Sequence, residues 1–108
     1  MAYDEELADR IRVLLADEPA LEEKKMFGGL AFLIGGNMAV AASGQGGMLV
    51  RVDPDESDQL VETTPAEPME MRGRSMKGWL RVDPTEDEIP EWVDRGAAYA
   101  RSLPTKRE

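Results

Sequence analysis

Five cations, Arg51, Arg72, Arg74, Lys77 and Arg81, lie among short apolar runs rather than in polar loops. Cations grouped on one surface would bind an anion, a phosphate backbone or an acidic partner. The spacing around two of them is informative. If Val50, Val52, Leu80 and Val82 point into a core, strand alternation turns Arg51 and Arg81 the other way, at equivalent positions of two strands. A competing reading has these bases, with Lys24 and Lys25, facing acidic helices across the sheet rim in exposed ion pairs worth at most about 1 kcal/mol each.

Other arrangements with chemical potential are better explained by local structure. Ser75 and Lys77 stand two apart, without the Ser-x-x-Lys spacing of helical Ser/Lys enzymes, and Ser75 reads as a turn residue. The run Asp53-Pro54-Asp55-Glu56-Ser57-Asp58 lacks the central glycine and terminal glutamate of a calcium loop, and the preference of helix N-termini for negative charge accounts for it. Gly44-Gln45-Gly46-Gly47 leads into a strand and lacks the Gly-Lys-Ser/Thr ending of a phosphate loop, so it reads as a hairpin connection. The 108 residues contain no His and no Cys. That composition excludes His-dependent triads, thiol nucleophiles, disulfides and thiolate metal sites. No catalytic residue, metal or cofactor is expected, and a binding module is favoured over an enzyme.

Short, differently patterned elements must position the cations. Leu7, Ile11, Leu14 and Leu15 fall at i, i+4, i+7 and i+8 and predict an amphipathic helix over residues 4 to 16, ended near Pro19. Strand-like segments follow at Lys25–Phe27, Leu30–Ile34, Met38–Ala42 and Met48–Val52. Gly35-Gly36-Asn37 forms a tight hairpin between the second and third, and Gly28-Gly29 suggests a bulge or corner. The tetrapeptide Arg-Val-Asp-Pro occurs at Arg51–Pro54 and again at Arg81–Pro84. Asp as N-cap and Pro at the first helical position make each copy a strand-to-helix junction. The first opens a helix over Asp55–Glu62 with Leu60 and Val61 inward. The second leads through a turn at Thr85–Glu88 to a helix opened by Pro90, with Trp92, Gly96, Tyr99, Ala100 and Leu103 on one face. Between them lie strands at Met69–Arg72 and Lys77–Val82 around Gly73-Arg74-Ser75. The order α-ββββ-α-ββ-α implies an α+β fold with a mainly antiparallel sheet and terminal helices, in a single domain with a core of about 5–103 and a polar tail from Pro104 to Glu108.

With 13 bases against 22 acids the net charge is −9, which disfavours nucleic acid as a partner. The charge is unevenly placed. Residues 24–52 hold three bases and no acid, and residues 71–82 four bases and no acid, so the expected strands carry +7 and the remainder −16. Nucleic acid thus returns as a possible but unfavoured partner. Six of the seven methionines fall in strand territory, where core filling is favoured and an uncovered sheet face is the alternative. Trp79 and Trp92 read as packing anchors. No run approaches the roughly 20 apolar residues of a membrane span, and the acidic N-terminus is unlike a leader, so a cytoplasmic location is expected.

Lys25-Met26-Phe27-Gly28-Gly29-Leu30-Ala31-Phe32, Gly36-Asn37-Met38, Gly73-Arg74-Ser75-Met76-Lys77-Gly78-Trp79 and Trp92-Val93 together resemble the N-terminal domain of the TfoX/Sxy family of bacterial competence regulators. The resemblance spans about residues 5 to 103. It implies a compact α+β domain like that of the secretion-chaperone class, with Met26, Phe27, Gly28, Gly29, Gly73, Gly78, Trp79 and Trp92 in structural positions and no catalytic set to carry over. Full-length regulators of the family continue into a C-terminal helical domain with no counterpart in these residues, so a stand-alone N-terminal domain is expected. The functional expectation is a small regulatory or adaptor domain acting through a protein partner or as a homodimer. The alternative is anion or nucleic-acid binding through the five strand cations.

Overall fold

A computed structural model describes residues 3–26, 28–44, 46–71 and 73–104, with backbone alone at 26, 70, 71 and 74–77. The elements are α1 (Glu5–Leu14), β1 (Leu21–Met26), β2 (Gly29–Ile34), β3 (Asn37–Ala42), β4 (Met48–Arg51), α2 (Pro54–Thr63), β5 (Glu67–Met71), β6 (Arg74–Val82) and α3 (Ile89–Ser102). This is the α+β order α-ββββ-α-ββ-α.

Helix α1 starts where the Asp4 carboxylate accepts from the backbone N–H groups of Glu6 and Leu7, satisfying donors that have no partner within the helix. Its buried face is Leu7, Ala8 and Ile11, with Leu15 just beyond. Leu14, expected on that face, lies on its flank and is 40% exposed; Ala8 takes the inner position instead. The first Arg-Val-Asp-Pro copy behaves as expected. Asp53 caps α2, its side chain accepting from the Asp55 N–H at 2.9 Å, and Pro54 opens the helix. The second copy does not cap a helix. Asp83 is exposed, and a turn closed by Thr85 N–H donating to Glu88 Oε1 separates it from α3. Residues 84–88 supply no apolar side chain to anchor a helical face, whereas α2 turns Leu60 and Val61 onto the core.

All six strands form one sheet in the order β1-β2-β3-β4-β6-β5, each neighbouring pair antiparallel. Gly35 and Gly36, at φ 61° and 83°, turn β2 into β3, a conformation glycine adopts without the Cβ clash. β1 begins four residues before the expected strand and brings Glu22 and Glu23 into the sheet, while β5 brings Glu67 and Glu70. The strands are therefore not uniformly basic, contrary to expectation. Acidic residues paired within a hairpin carry no apolar signal by which to recognise them as strand.

One face of the sheet packs against the helices. Leu30, Phe32, Val40, Met48, Val50, Leu80 and Val82 join Leu7 and Ile11 of α1, Trp92, Val93, Ala97 and Ala100 of α3, and the half-buried Leu60 and Val61 of α2 in one core. Helix α3 sits down on β3 because Gly96 has no Cβ: one placed there would lie 2.4 Å from Ala39 O and 2.8 Å from Val40 Cγ1. Val93 and Ala97, absent from the expected α3 face, are fully buried, whereas Tyr99 is half-buried and turned toward Arg51.

Candidate functional site

The other sheet face gathers a second apolar cluster to which, among the described residues, no helix contributes. Ala31, Met38, Ala41 and Leu49 are buried there, and Leu33, Met69 and Trp79 pack half-buried around them. Strand alternation produces the separation: Met48 and Val50 pair with Val82 and Leu80 on the helix side, so Leu49 and Arg51 pair with Arg81 and Trp79 on the open side. Ala31 lies opposite Ala41 across β2 and β3, both buried, with Leu33 packed beside them.

Arg51 joins this face to α3. Its guanidinium carbon is 5.1 Å from the Trp79 ring centroid and 5.7 Å from that of Tyr99. Each such contact is worth about 0.5–1 kcal/mol. Among the described residues the guanidinium meets these two rings and no carboxylate. Sequence reasoning placed Arg51 on this side of the strand but missed Tyr99. No pattern in the sequence links position 99 to position 51.

The remaining candidate cations differ. Arg81 shares the open face, donates to Gly46 O at 3.2 Å, and lies opposite Glu67 in the β5–β6 register, so an acid interrupts the cationic surface. Arg74 and Lys77 are in the first half of β6, at positions where the backbone alone is described, and Arg72 lies outside the described residues. Among the described residues the structure thus brings two of the five, Arg51 and Arg81, to one face. Ion pairs among the described residues include Arg12 with Asp9 and Glu23, Arg95 with Glu91, and Arg101 with Glu18. Hydrogen bonding to Arg12 holds the Glu23 carboxyl below its ordinary value.

The family-motif residues take varied places. Gly28 and Gly73 have positive φ in the β1–β2 and β5–β6 turns, and Gly29 packs its backbone against Ala42 O. Gly78, at φ 86°, accepts from Val52 N–H at 2.8 Å and leaves room for Pro54 at the start of α2. Trp92 is a core anchor, 6% exposed, while Trp79 is on the open face. Met26 is described by its backbone at the end of β1, and Phe27 lies outside the described residues. Of the strand methionines, Met48 fills the helix-side core and Met38 and Met69 belong to the open face.

Two clefts lie along the helices. One of about 460 Å³ between the start of α2 and α3 is lined by Asp53, Glu56, Glu91 and Asp94 with Arg95 and Tyr99. Another of about 220 Å³ lies between the end of α2 and the start of α3, beside Trp92. Among the described residues the buried polar side chains are Asn37, Ser43 and Ser57, and none of them is a carboxylate. No acidic cluster among them is placed to hold a metal ion, and no helix among them is long and apolar enough to cross a membrane.

A family model described as the TfoX N-terminal domain matches residues 13–100. No curated protein matches the chain, and no solved structure does.

Proposed function

This chain belongs to the TfoX N-terminal domain family, and from that premise we propose that it is a non-enzymatic regulatory or adaptor domain that acts by binding another protein. The observation that carries the reading is the one-sided placement of the helices. A six-stranded sheet leaves Leu33, Met69 and Trp79 half-buried on the face opposite them, beside a guanidinium with no carboxylate partner among the described residues. Aromatic and apolar anchors next to an arginine are the composition from which protein-binding hot spots are built. A partner that presents an apolar side chain to Trp79 and a carboxylate to Arg51 fits this face. Arg51 is already held between two rings, so little side-chain freedom remains to be lost on binding.

Quantitative affinity capture from the protein's own cells tests this reading, using the wild type, Leu33→Asp, Arg51→Glu and a control, Val13→Asp, on the 74% exposed flank of α1. Circular dichroism establishes that each variant is folded. A partner recovered by wild type and Val13→Asp should fall about tenfold or more with the two face variants, as for loss of one hot-spot contact. Equal recovery by all four proteins overturns the proposal.

A further inference from the structure

The sheet has two edges, and they are built differently. β5 carries Pro68 and a register irregularity between Pro68 and Met69, two features that discourage pairing with another chain. β1 has neither: its six residues run in unbroken register with β2. Gly35 N–H donates to Ala20 O at 3.2 Å, and the register extends this pairing to Glu22, Lys24 and Met26. Hydrogen-bonding direction alternates along a strand, so the backbone N–H and C=O groups of Leu21, Glu23 and Lys25 point away from β2, where the sheet ends.

We propose that β1 pairs antiparallel with β1 of a second copy of this chain, across a two-fold axis at Glu23, joining two six-stranded sheets edge to edge. Alternation restricts the axis. Only registers that set outward-pointing groups against one another can form hydrogen bonds, and those that overlap most of the six-residue strand have Glu22, Glu23 or Lys24 on the axis. With Glu22 or Lys24 there, like charges meet in a non-hydrogen-bonded pair, where side chains approach most closely. With Glu23 on the axis, Glu22 of each copy lies opposite Lys24 of the other on the open face. The backbones at Leu21, Glu23 and Lys25 then exchange hydrogen bonds. The two Glu23 side chains meet at the axis, but each is already held by Arg12 of its own copy at 2.6 and 2.8 Å. A lysine-only edge would repel its own copy; Leu-Glu-Glu-Lys-Lys-Met sets opposite charges against each other.

An edge-strand interface is small, so association should be weak and concentration-dependent. Sedimentation velocity of the full chain over a wide concentration range tests the proposal. Wild type should shift from monomer toward dimer. Lys24→Glu or Glu22→Lys should each weaken association about tenfold, because two favourable cross-strand pairs become two repulsive ones. The charge exchange Glu22→Lys with Lys24→Glu should restore it. Both side chains are exposed, and circular dichroism verifies that the fold is kept. A monomer at every concentration, single variants that dimerise like wild type, or a double variant that fails to recover would each overturn it. The dimer uses the strand edge and the proposed partner the sheet face, so sedimentation of purified protein and capture from cells can fail independently.

Discussion

Arg12 and Glu23 illustrate how far single residues can be read. They stand eleven positions apart, on a helix and on a strand that begins earlier than its apolar content indicates, and they form a two-point contact at 2.6 and 2.8 Å. Both side chains are partly exposed, at 44% and 33%, which keeps the pair in the range of surface ion pairs, below about 1 kcal/mol. The sign of its pH dependence follows from the lowered Glu23 pKa. The stabilisation is present above the carboxyl's unfolded value and is lost as pH falls through the lower folded value. Urea denaturation of wild type and Glu23→Gln should therefore show wild type the more stable at neutral pH, with the difference shrinking and then vanishing as pH falls below the ordinary glutamate range. A difference that grows on acidification would contradict the assignment. Arg51 was legible as facing away from the core, because alternation is a local rule. Its two aromatic partners were not, because Tyr99 reaches it only through the packing of α3 on the sheet.

At the scale of elements, the repeated Arg-Val-Asp-Pro tetrapeptide separates what four residues specify from what their surroundings specify. The same residues leave a strand in both places, yet Asp53 caps α2 and Asp83 caps nothing. Asp53→Ala should cost about 1 kcal/mol, the usual loss for an N-cap. Asp83→Ala, an exposed substitution, should stay within about 0.5 kcal/mol of wild type. Thermal or chemical denaturation of the two variants checks the contrast, and equal losses would mean that the second turn carries more than its hydrogen bonds indicate. The helices and hairpins were readable because caps, glycine turns and amphipathic periods act over a few residues. The start of β1 was not, since Glu22 and Glu23 become strand residues only by pairing with Leu33 and Phe32.

For the whole molecule, the order of the sheet predicts an order of local stability. β3 and β4 are interior strands covered by α3. Their paired amides should exchange slowest with deuterium, at rates approaching global unfolding. The outward amides of Leu21, Glu23 and Lys25 should exchange fast in dilute solution and slow as concentration rises, if copies join at β1. Uniform exchange along all six strands would contradict both statements. The sequence by itself determined the element order, the α+β class, part of the main core and the family motif, because each follows from a short-range period, a cap or a turn. Tertiary structure alone decided that the helices share one face, that Met38 and Met69 lie opposite Met48, that acidic residues join the sheet, and that Arg51 rests between Trp79 and Tyr99. Those outcomes depend on contacts between residues far apart in the chain, whose relative placement is set by which strands pair and on which side each helix returns.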